Sequence, residues 1–116
     1  MKLERTVLGY LIWAEVKRLD DGWDIGIYGG CNTHVGTVTL AELDGTVQTL
    51  ERPHHKDSFV SVRWAKELAK QLQEPVCVRC GIHYDNATKE QLALITAGCD
   101  EMLQELKEAL EQERKI

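Results

Sequence analysis

Two Asp-Gly pairs, Asp21-Gly22 and Asp44-Gly45, each fall between runs of strand-forming residues, and this placement narrows the possible folds sharply. Asp-Gly suits the two-residue hairpin turn, whose backbone needs positive φ. Before the first pair, Arg5 to Lys17 reads RTVLGYLIWAEVK. It is rich in β-branched and aromatic residues and apolar on both faces in its middle, which predicts one long buried strand. Trp23 to Tyr28 alternates Trp23, Ile25 and Ile27 with Asp24 and Gly26, the pattern of a second strand with one apolar face. Val35 to Leu43 predicts a third, with Val35, Thr37 and Thr39 opposing Gly36, Val38 and Leu40. Thr46 to Glu51 returns across the second Asp-Gly turn.

After the Pro53-His54-His55-Lys56 loop the period changes from two to between three and four. Asp57 or Ser58 caps a helix whose apolar stripe is Phe59, Val62, Ala65, Leu68, Ala69 and Leu72. Glu74-Pro75 ends it, and Val76 to Ile82 reads as the last strand. Thr88 and Gln91 form a capping box for a final helix carrying Leu92, Ile95, Cys99, Met102, Leu106 and Ala109. That helix spans ~39 Å if unbroken, with Gly98 as the point where it kinks or splits. Four strands, a helix, a strand and a helix predict a single α+β domain over residues 1–116. Its sheet is mainly antiparallel, of about five strands, with two helices packed on one face. The uncovered face predicts association, most simply a homodimer.

A net charge of -5 argues against nonspecific nucleic-acid binding, which depends on clustered positive charge. No apolar run reaches membrane-spanning length, and the N-terminal stretch lacks a signal-peptide core. The expected compartment is the cytoplasm, where the four cysteines stay reduced.

All four histidines lie in three short segments at strand ends or helix starts: 29–36, 54–57 and 81–86. In the first, Gly29-Gly30 fits either a tight turn or an anion-holding nest, followed by Cys31, Asn32, His34 and Gly36. In the second, Lys56 before a helix start suits an anion contact or a solvated charged loop. In the third, His83 and Asp85 share one face of an extended segment. Asp85 can therefore orient the imidazole, or His83 is structural and bonded to a backbone carbonyl. Asn86 suits the turn that follows. A metal set of His34, His55 and His83 matches no local motif, and Cys77-x-x-Cys80 lies in a strand pattern that separates its thiols. Cys31 near His34 is an activated thiol or a small loop filler. Trp13, Trp23 and Trp64 are expected as core or interface anchors.

Those segments resemble the prenylated flavin chaperone-like domain, related to the small D subunit of gallate and other hydroxyarylic acid decarboxylases. The resemblance is carried by Gly29-Gly30-x-x-x-His34-Val35-Gly36-x-Val38-x-Leu40, then His55-Lys56-Asp57, then Gly81-Ile82-His83-x-Asp85-Asn86. Order and spacing agree along almost the whole chain. Three departures are Cys31, where an acidic residue commonly follows the Gly-Gly pair, a short stretch before His55, and Thr37 and Thr39 in place of small apolar residues.

The resemblance implies a fold like that of the dimeric proteasome-assembling chaperones. It also implies a noncatalytic accessory protein that helps deliver or mature the prenylated FMN cofactor of a UbiD-type decarboxylase. Its signature site would comprise Gly29, Gly30, His34, Gly36, His55, Lys56, His83, Asp85 and Asn86, with Asn32 added from the loop. Two other readings remain at this stage: a small metal-assisted hydrolase or lyase subunit using His34, His55 and His83, and a pure protein-interaction module using the sheet face and the long helix.

Overall fold

The computed structural model describes residues 1–114. Its first departure from expectation is at Leu8-Gly9, where φ is 53° and 82° and the chain reverses. Two consecutive positive φ values make the turn that matches the twist of a β-hairpin. The run expected as one long strand is therefore two, β1 (Lys2–Val7) and β2 (Tyr10–Arg18), antiparallel with Val7 opposite Tyr10. An apolar residue in the turn kept the run looking continuous.

β3 (Trp23–Gly30), β4 (Thr37–Ala41), β5 (Val47–Glu51), α1 (Ser58–Leu72), β6 (Val76–His83) and α2 (Lys89–Arg114) follow. The sheet has six strands in the order β1-β2-β3-β6-β4-β5. β6 enters between β3 and β4, parallel to the first and antiparallel to the second. The class is α+β as expected, with a mixed sheet and one strand more than the sequence suggests.

Alternation sends Ile12, Ala14, Val16, Ile25, Ile27, Val76, Val78 and Cys80 to one face, under both helices. The buried side of α1 is Val60, Ser61, Trp64, Ala65, Leu68 and Ala69. This corrects the expected stripe by one position: Phe59 is 50% exposed and Val62 only half-buried. A polar residue, Ser61, disguised the inward face. Its hydroxyl accepts from Thr37 (2.9 Å) and shares a hydrogen bond with Thr39 (2.8 Å), and Thr39 also reaches Thr49 (3.0 Å). This dry hydroxyl cluster seats α1 on β4, which explains why threonines suit positions 37 and 39.

α2 runs unbroken over 26 residues. It buries Ile95, Cys99, Met102, Leu103, Leu106 and Leu110, whereas Leu92, expected in the stripe, is 49% exposed. Gly98 permits close packing instead of a kink, since a Cβ there would lie 2.7 Å from Val7 Cγ2. Trp64 is fully buried and Trp23 nearly so. Trp13 lies on the uncovered face against Tyr28, 6.1 Å between ring centroids, near Arg79, which bonds Asp24 and the Tyr28 hydroxyl. Leu50 at 78% and Leu40 at 38% exposure add apolar surface to that face. No helix among the described residues is long and apolar enough to cross a membrane.

Candidate functional site

The segment between β3 and β4 must pass over the end of β6 to reach the strand beyond it. Gly81 makes the crossing possible: a side chain there would occupy the space of the His34 carbonyl. Gly36 continues the path, its N–H donating to the Cys80 carbonyl (3.1 Å), and a Cβ there would displace the Asp57 carboxylate. On the near side, Gly29 and Gly30 end β3 where backbone from Leu11 and His83 crowds them, and Cys31 N–H donates to the His83 carbonyl (2.7 Å). The glycines of the first segment thus shape the crossing, outside the lining of the recess beside it.

That crossing delivers His34 to Asp57. Asp57 stands at the N-cap of α1 but makes no side-chain cap. One carboxylate oxygen meets His34 Nε2 at 3.0 Å and the other accepts from the Ile82 N–H at 3.3 Å. An ionised carboxylate only accepts, so Nε2 carries the proton and Nδ1 is left as the basic nitrogen. The side chains are 13% and 8% exposed, enough shielding for this pair to fix its geometry firmly. His55 stacks on His34, ring centroids 4.4 Å apart and planes 27° from parallel, and His83 meets His34 edge-on at 6.2 Å. His83 Nε2 lies 2.9 Å from an Asp85 carboxylate oxygen, both side chains exposed.

The three segments therefore converge. A recess of about 210 Å³ is lined by His34, His54, His55, Lys56, Asp57 and His83 together with Phe59, Ile82, Tyr84, Leu92 and Ile95. Asn32, Asp85 and Asn86 lie outside its lining. Asn86 holds a positive φ of 52° in the turn before α2. Of the lining residues, only His34, His55, Lys56 and His83 were in the candidate set; Asp57, His54 and all the aromatic and aliphatic ones escaped it. Asp57 read as a cap, and its partner is 23 positions away.

Partial desolvation, then the neighbouring His34 and Arg52, push the His55 pKa below the ordinary imidazole value, with Asp57 opposing. Desolvation first, then Cys31, raises the Tyr84 hydroxyl to about 12, and that hydroxyl donates to the Val7 carbonyl (2.8 Å). Cys31 is exposed beside Tyr10 and outside the recess. Cys80 is buried in the core, where burial lifts its thiol well above the ordinary value, while Cys77 is half-buried on the opposite face of β6. Among the described residues, no group of three or more histidine, cysteine, aspartate or glutamate side chains is placed to hold a metal ion.

The fold resembles that of a chain in the crystal structure of a chaperone complex for yeast 20S proteasome assembly. The TM-score is 0.51 at 14% identity, covering 97% of this chain and 96% of that one. In sequence, the chain is 32% identical over 103 residues to Protein LpdD of Lactiplantibacillus plantarum, covering 84% of this chain and 76% of the relative. Residues 6–111 match the family described as the prenylated flavin chaperone LpdD-like domain, and they include every lining residue of the recess. The chain belongs to that family.

Proposed function

We propose that this protein is a noncatalytic accessory protein that binds a flavin-type cofactor, prenylated FMN, and hands it to the catalytic subunit of a UbiD-type decarboxylase. One observation carries the reading: a single recess gathers four imidazoles and Lys56 together with aromatic and aliphatic side chains. That donor set suits a ligand with an anionic end and a planar, largely apolar body. Lys56 and the start of α1 favour the phosphate. His34 and His83, the latter oriented by Asp85, offer hydrogen bonds to the polar edge. Gly29, Gly30 and Gly36 contribute by fixing the crossing that presents His34.

The recess is smaller than the roughly 300 Å³ at which ligand pockets begin to enclose their occupants. It grips one end of such a cofactor and leaves the rest over exposed Phe59 and Leu92, an arrangement suited to a carrier that must release its load. The reading extends to a homodimer through the uncovered sheet face and to a cytoplasmic location.

The test is a fluorescence titration of FMN against the wild type and Lys56→Ala. Loss of one charge-assisted phosphate contact predicts a Kd raised about tenfold or more. An unchanged Kd removes Lys56 from the site, and no quenching with the wild type sinks the reading.

A further inference from the structure

The recess contains two imidazoles in contact but unequal surroundings. His34 is paired to Asp57. His55 lies flat on it, and among the described residues no side chain hydrogen-bonds to its ring. The charged and titratable groups facing His55 are His34 from the crossing segment, Arg52, His54, Lys56 and Asp57 from its own loop, and His83 from the end of β6. α1 and α2 contribute only apolar side chains here, Phe59, Leu92 and Ile95. Five of these six neighbours are basic. The single carboxylate has both oxygens committed, to His34 and to the Ile82 N–H.

A proton on His55 is therefore opposed by cations and answered by no carboxylate of its own. A dianion entering beside Lys56 reverses that balance, because it supplies negative charge beside a ring that has no carboxylate partner of its own. Building on the ligand reading above, we propose that the stacked His34–His55 pair and Lys56 form an oxyanion subsite of the phosphate-monoester class that takes up its anion together with one proton, carried by His55. The low basicity of His55 before the anion arrives agrees with this. The consequence is directional: affinity rises as pH falls toward the slightly acid range and is weakest in mild alkali.

Sulfate is the suitable probe, because it stays dianionic where a phosphate ester would itself titrate. Histidine Cε1–H resonances of the full chain are followed by NMR from about pH 5 to 8.5, with and without saturating sodium sulfate, at constant ionic strength set with chloride. His55→Gln identifies the His55 signal. The expected result is a His55 midpoint that rises by about one pH unit with sulfate, and a sulfate Kd that loses its pH dependence in His55→Gln. An unmoved His55 midpoint, or no sulfate binding, overturns the proposal. The parallel FMN titration keeps the two readings apart. FMN binding with an unmoved His55 leaves the cofactor reading and removes this one. A shifted His55 without FMN binding does the opposite.

Discussion

At the start of α2, the Thr88 N–H donates to the Gln91 side chain (2.9 Å) and the Gln91 N–H to the Thr88 hydroxyl (3.1 Å), a closed local exchange. At the start of α1, Asp57 occupies the same position and satisfies none of its helix's amides with its side chain. It reaches outward, to an imidazole 23 residues earlier and an amide 25 residues later. An N-cap is worth about 1 kcal/mol. α1 forgoes that and is held instead by burial of Trp64 and Leu68 and by the Ser61 hydroxyl cluster. One helix start uses its polar residues for its own stability. The other uses them to fix the geometry of a recess.

Four substitutions can break or sharpen this contrast. The largest effect is expected from Asp57→Ala, which strands a shielded imidazole and the Ile82 N–H. Urea denaturation should show a loss of about 3 kcal/mol, and FMN quenching should disappear. Asp57→Ser sharpens the case, since serine caps well but cannot hold His34. It should regain up to about 1 kcal/mol of that loss without regaining binding; a serine variant that binds FMN normally would show that capping is what the site requires.

Thr88→Ala should cost about 1 kcal/mol and leave the FMN Kd where it was. A changed Kd would mean that the two helix starts are not independent. The smallest effect concerns pH. His55 is less basic in the folded chain, through desolvation and then through His34 and Arg52. Just below its ordinary value of 6.5 the unfolded chain therefore binds the proton more readily. Stability should decline slightly as pH falls through that value and level off below the folded midpoint. His55→Gln should remove this part of the slope when Tm is followed across the range.

What the sequence disclosed follows the same division. The Thr88–Gln91 box, the Asp-Gly turns and the order of elements from Trp23 onward rest on neighbours a few positions apart, and these were legible. The three histidine segments could be marked, because loops at strand ends present side chains. Pairings set by distant residues were not legible. Leu8-Gly9 carries no polar turn residue, so the first hairpin was hidden. α1 has apolar residues on more than one side, and its true inward face includes Ser61. Nothing local to Asp57 says that its carboxylate turns toward His34, because that contact exists only once β6 lies between β3 and β4.

The position of β6 also bears on synthesis. A nascent chain that has reached Pro75 possesses β1 to β5 and α1, but β3 and β4 still lack the neighbour that joins them, and the crossing segment has nothing beneath it. Gly81 and the Ile82 amide leave the ribosome after every other strand, and with them come the seat of His34 and the second anchor of Asp57. An abbreviated translation product that stops at Pro75 therefore has His34, His54 and His55 but no recess to hold them.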